Sequence, residues 1–281
     1  MRPGMVSIFC LLSLLTGGVA AAAAPGAEGD PLRPFATATA DPWAYAQVAR
    51  EALRLRGVLG AEVPQQAACG PADEPAWIAS AQAALVTAAM RVDRPQLLVV
   101  VDRNPRIQQL CIVLARPDGP WQALGGGKVS TGDTGRRDYY VTPTGVFLHS
   151  PAILDYRAEG TFNENNIRGF GLKGMRVWDF GWRQAEKGWR ADRERGDIRL
   201  LLHATDPDFL EPRLGRPASQ GCVRVSAAMN RFLDRHGVLD ASYERAARTD
   251  GRIREILPID RDPTPLAGDA LVVIDSAAPA G

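Results

Sequence analysis

Histidine and cysteine are scarce in this sequence, at three and four residues among 281. No CxxC occurs, and His149, His203 and His236 stand far apart without ligand-like spacing, so a zinc site is not indicated and no metal or other cofactor is expected. An excess of either charge is missing too. The 33 Lys and Arg against 32 Asp and Glu leave +1, which points to neither nucleic acid nor an acidic membrane surface as a partner. Past the first thirty positions no segment approaches eighteen apolar residues, so no spanning helix is expected there. "LGGGKVST" invites a phosphate-loop reading, but position 122 is Gln where that motif needs glycine, and Val129 follows Lys128 where it needs Ser or Thr. No internal repeat is visible. The remaining composition, 46% apolar and 23% charged, is that of a globular chain able to bury a core.

The first thirty residues lack acid until Glu28. Arg2, an apolar run from Val6 to Leu15 and an alanine-rich end at Ala24 read as a secretory signal peptide over residues 1–24. An uncleaved membrane anchor is the alternative, weakened by Gly17 and Gly18. The mature protein is expected to be exported, to the periplasm, touching a membrane only if this segment stays attached. Cys10 falls inside the leader, which leaves Cys69, Cys111 and Cys222 in an oxidising compartment. The preferred arrangement is a Cys69–Cys111 pair with Cys222 free; the alternative is that Cys111 is a buried hydrophobe on an apolar strand.

Residues 25–40, rich in Pro, Ala and Thr, read as a linker. A helical segment over 41–94 follows. Asp41 and Pro42 suit a helix start, Gly57 suits a stop, and Tyr45, Val48, Ala52, Leu53 and Leu55 partly follow a helical stripe. A second helix is expected over Glu74–Met90. After Pro95 the period changes. "QLLVVVD", "IQQLCIVLAR", "DIRLLLHATD" and "GDALVVIDS" are strand-like runs, and one clear helix covers Ser226 to His236. The main domain, over 95–276, is therefore mainly β with some α. Between residues 151 and 198, Trp178, Trp182 and Trp189 lie among basic residues. They suit either a lid that stacks on substrate or aromatic packing beneath a charged helix.

The chemistry gathers at "HATDPDFLEPRLGRPASQGCVR". Fifteen residues separate His203, at a strand end, from Ser219. A loop folding back can bring the imidazole to Cys222, and a thiol becomes a competent nucleophile when an imidazole takes its proton. Gly221 permits close backbone approach, and the amides of Gly221 and Cys222 are candidates to hold an oxyanion. A buried structural cysteine remains the plain alternative.

The order "VSTGD", "TPTGVF", a strand-ending His203 and "SQGC" resembles the catalytic domain of the L,D-transpeptidases, the YkuD type, over about two thirds of the chain. The resemblance implies a β-sandwich-like catalytic domain and a cell-wall enzyme whose partners are peptidoglycan stem peptides. Cys222 would be the nucleophile and His203 the base, oriented by a backbone carbonyl such as that of Ala204. Arg224 would hold a substrate carboxylate, and Ser219 would support the loop. It equally allows a carboxypeptidase or wall-protein-releasing hydrolase, or a non-catalytic wall-binding module. One departure stands out: Gln220 occupies a position where the family commonly has histidine, and glutamine cannot carry a proton.

Overall fold

Helical spacing of apolar residues builds the first two elements. In the computed structural model, which describes residues 42–64, 69, 74–132 and 135–277, α1 spans Pro42–Glu62 and α2 spans Glu74–Thr87. The signal peptide and linker expected over 1–40 lie outside the described residues. Ala52, Leu55 and Leu59 are the buried stripe of α1, and Trp77, Ala81 and Leu85 that of α2. Gly57 does not stop α1, because the buried Leu59 and Val63 carry the chain onward, and Leu53 of the expected stripe is exposed instead.

Among the described residues nine strands follow in chain order: β1 (Gln96–Asp102), β2 (Gln109–Ala115), β3 (Gln122–Lys128), β4 (Gly145–Leu148), β5 (Tyr156–Arg157), β6 (Arg176–Glu186), β7 (Arg195–Ala204), β8 (Val223–Val225) and β9 (Ala270–Ile274). They form two sheets, ordered β3-β2-β1-β9-β4 and β5-β6-β7-β8. The β1–β9 and β7–β8 pairs are parallel and the other named pairs antiparallel.

The two sheets share one core. Leu97, Val99 and Val101 of β1 join Trp178, Phe180, Leu200, Leu202, Val223 and Val225 in a single buried cluster. On the other side of β1, Leu98 and Val100 pack with Cys111, Val113 and Val272 beneath Trp77, Ala81 and Leu85 of α2. A strand covered on both faces reads as a continuous apolar run, which explains "LLVVV". Each large side chain so buried contributes about 1.5–3 kcal/mol. Cys69 and Cys111 are joined by a disulfide, with Cα atoms 6.0 Å apart, tying the segment before α2 to β2. The fold is mainly β, a two-layer sandwich with helices laid against it.

One segment differs from the sequence reading, and two short helices had no reading there. The tryptophan-rich segment forms no helix; it is the β6–β7 hairpin, bulged between Asp179 and Trp182, where Gly181 takes a φ of +80°. Trp178 is buried in the core, Trp189 meets Tyr140 edge-on at 5.2 Å, and Trp182 is 63% exposed. After α3 (Ala227–Arg235), capped by the Ser226 hydroxyl accepting from the Met229 N–H, come two six-residue helices, α4 (Ala241–Ala246) and α5 (Gly251–Ile256). They are too short to show a period in the sequence.

Candidate active site

The loop that carries Cys222 is braced from three directions. Ser219 Oγ accepts from the Gly221 N–H at 3.1 Å and donates to the Cys222 carbonyl at 2.6 Å. The Ala218 and Ser219 amides donate to the Thr131 carbonyl at 3.0 and 2.8 Å. Thr142 Oγ1 accepts from the Gly132 N–H and donates to the Gly221 carbonyl, both at 2.8 Å. The "VSTG" and "TPTG" segments thus serve as scaffolding for this loop. Gly221 has a φ of +123°, and a Cβ there would sit 2.8 Å from Ile198 Cδ1, so glycine is required. Its amide, expected to face an oxyanion, is committed to Ser219 instead.

Strand register sets which side chains meet. In the parallel β7–β8 ladder Leu202 pairs with Val223 and His203 with Arg224. Leu200, Leu202, Val223 and Val225 point into the core. Alternation therefore puts Arg199, Leu201, His203, Cys222 and Arg224 on the opposite face. Cys222 lies one step before the ladder, diagonal to His203, which separates their Cα atoms by roughly 8 Å at normal strand spacing and rise.

His203 is buried, and its Nδ1 donates to the Ala204 carbonyl at 2.7 Å. That bond fixes the neutral tautomer with the lone pair on Nε2. The edge of Phe170 closes over the ring at 4.8 Å between centroids. Burial, followed by the nearby Arg224 guanidinium, pulls the imidazole down to about 3 despite the Ala204 bond. Cys222 is half-buried and is the free cysteine among the described residues. Its S–H donates to the Arg199 carbonyl at 3.7 Å. Burial pushes the thiol up, opposed by the Leu201 amide and Arg224. Thiol and imidazole are both held neutral at pH 7.

Arg224 is half-buried without a carboxylate partner among the described residues. Nη1 donates to the Ala218 carbonyl at 3.2 Å, and Nε is buried with nothing to bond. A charge taken out of water without its counter-charge is costly, so this guanidinium is set to receive an anion. Gln220 is exposed on the same loop.

Four residues near the site had no role in the sequence reading. Arg199 Nε donates to Asp179 Oδ2 at 2.7 Å, and Tyr156 meets Phe170 edge-on at 5.9 Å. Tyr156, Gly169 and Phe170 also line a cleft of about 370 Å³ that adjoins His203 through the Phe170 ring. Arg199 was accessible to reasoning, being four residues before His203 and so on its face. Tyr156, Phe170 and Asp179 come from other elements, and no local pattern joins them to it.

One group of metal-ligand type occurs among the described residues: His149, Asp155 and Asp240, with ligand atoms within 4.8 Å. Its donors are spent internally. His149 bonds Asp155 at 2.9 Å and the Leu239 carbonyl at 2.7 Å, while buried Arg176 pairs with Asp155 and Asp240. That guanidinium already supplies the cation.

Comparison with family models matches residues 96–241 to YkuD, the L,D-transpeptidase catalytic domain. Comparison with curated proteins finds no match. The match covers over half of the chain, so the chain belongs to the L,D-transpeptidase family.

Proposed function

We propose that the protein is an exported peptidoglycan L,D-transpeptidase in which Cys222 is the nucleophile and His203 the base. The observation that carries this reading is the shared face of Cys222, His203 and Arg224, with Arg224 lacking an acidic partner among the described residues. Export rests on the composition of residues 1–24.

With both groups neutral at rest, the proton moves as the bond forms. Nε2 of His203 takes the thiol proton while Sγ attacks the carbonyl at the L-centre of a stem-peptide diamino acid. The Cys222 amide is the donor available to the resulting oxyanion, since the Gly221 amide serves Ser219. The tetrahedral intermediate collapses to a thioester, and the terminal D-alanine leaves as the amine, taking the proton from His203. An amine of a second stem then attacks the thioester, passes its proton to His203 and restores the thiol. Arg224 binds a carboxylate of the donor stem. Gln220, exposed and unable to titrate, shapes the rim of the site.

The test is the muropeptide profile of cells carrying the wild type or Cys222→Ala, with intact-mass spectra after exposure to a carbapenem. Dimers joined between two diamino acids, absent from the variant, and an adduct on Cys222 are expected. Shortened monomers alone would reassign the site to hydrolysis, and no adduct would remove the enzyme reading.

A further inference from the structure

Away from Cys222, a cleft of about 650 Å³ opens between α4, α5 and the chain approaching β9. Its charged lining is Arg94, Arg245, Arg248, Arg254, Arg261 and Glu244. Five guanidinium groups against one carboxylate leave four positive charges in one cleft, on a chain whose whole formal charge is +1. None of these six residues lies within the family match, which ends at residue 241 and begins at 96.

The guanidinium groups are held but poorly neutralised. Arg94 donates to the carbonyls of Pro95 and Ala267 at 3.2 and 2.8 Å, and Arg254 to those of Ala247 and Arg248 at 2.9 and 3.2 Å. Neither has a carboxylate partner among the described residues. The Arg248 guanidinium, exposed at the same cleft, makes no hydrogen bond or ion pair among them. Arg261 pairs with Glu244 at 2.7 Å, and Arg245 reaches Asp269 at 3.8 Å. Even with both of those pairs counted, three cations remain without a counter-charge. Each guanidinium has five donors, so Arg94 and Arg254 keep several free for a ligand.

The frame is fixed. Tyr243, Ala247, Ile253 and Leu257 form a small core joining α4 to α5, and the Tyr243 hydroxyl donates to the Ile153 carbonyl at 2.6 Å. A cleft of this size is in the range of small-molecule sites. Neutralising it with carboxylates takes three or four of them, whereas two phosphate groups bring roughly three to four negative charges and matching oxygen acceptors. From this geometry we infer that the Arg94–Arg248–Arg254 cleft is an anion site for a ligand bearing two phosphate groups, separate from the cysteine site.

Calorimetric titration of the intact protein with inorganic pyrophosphate tests this, alongside sedimentation with vesicles of cardiolipin, whose headgroup bears two phosphates, and with neutral phosphatidylcholine vesicles. Saturable pyrophosphate binding is expected, weakened by added salt. Arg248→Gln should weaken it about tenfold, as should Arg254→Gln, the scale of one charged hydrogen-bond partner. Arg248 holds nothing in the fold, so its variant keeps the test sound should Arg254→Gln unfold. Cys222→Ala should bind as the wild type does. Binding of anionic vesicles that is lost in Arg248→Gln identifies a lipid headgroup; pyrophosphate binding without vesicle binding identifies a soluble ligand. No binding of either probe, binding indifferent to both substitutions, or equal affinity for succinate would overturn the assignment.

Discussion

His203 stands directly opposite Arg224 in the parallel β7–β8 ladder, and Cys222 lies two residues before that arginine on the same face. One guanidinium therefore acts on both partners of the reaction. It disfavours an imidazolium and favours a thiolate, and no carboxylate among the described residues neutralises it.

Arg224→Gln should consequently raise KM for a stem-peptide donor by about tenfold or more, the scale of a lost charged hydrogen bond. Arg224→Lys should restore little, because an ammonium cannot reproduce a planar fork. Steady-state kinetics on both variants check this, and an unchanged KM in Arg224→Gln would assign the arginine to the fold alone.

The neutral thiol–imidazole pair has its own signature. Because burial holds the Cys222 thiol above its ordinary value, iodoacetamide labelling of the folded protein should speed up about tenfold per pH unit from pH 6 to 8. A rate already level at pH 6 would reveal a thiolate–imidazolium pair and contradict the neutral resting state.

Acid stability follows from His203. Its folded value near 3 lies below its ordinary 6.5, so between those pH values the unfolded chain binds a proton that the native state refuses. Stability is thus full above pH 6.5 and is lost as the pH falls toward 3, by about 1.4 kcal/mol per pH unit from this residue. Urea midpoints over that range should fall more steeply for the wild type than for His203→Gln. Parallel curves would show that the imidazole is solvated.

Gly221→Ala forces a Cβ to within 2.8 Å of Ile198 Cδ1 at a φ of +123°. The strain, about 1–3 kcal/mol, should lower the melting temperature by several degrees and slow carbapenem acylation of Cys222 at least tenfold. A fully active variant would mean that the cysteine loop tolerates a different path.

The Cys69–Cys111 disulfide closes a loop over a separation of 42 residues. Replacing both cysteines with Ala should cost about 2–4 kcal/mol in urea unfolding. Acylation of Cys222 at 25 °C should be unaffected, since the bond fastens the far face of the first sheet. Loss of acylation in a variant still folded would tie the two faces together.

Local sequence was enough for the strands β1, β2, β7 and β9, for α3, and for the order in which histidine and cysteine occur. Each rests on short-range regularities: runs of β-branched residues, an apolar helix face, motif spacing. The tryptophan-rich segment, which suits either a lid or packing beneath a charged helix when read locally, is a hairpin instead, because charged and aromatic residues alternate there around a bulge that breaks a strand's period. Helices α4 and α5 gave no signal, since six-residue helices hold too few apolar positions to show one.

The sequence by itself determined that a mainly β domain carries a cysteine shortly after a strand-ending histidine. Only the tertiary structure decided that the two share a face with an unpaired arginine, that the Gly221 amide is spent on Ser219, and that five arginines surround a second cleft. The physical reason is that side-chain alternation is written locally, whereas strand register and the meeting of distant loops arise when the two sheets close over a common core.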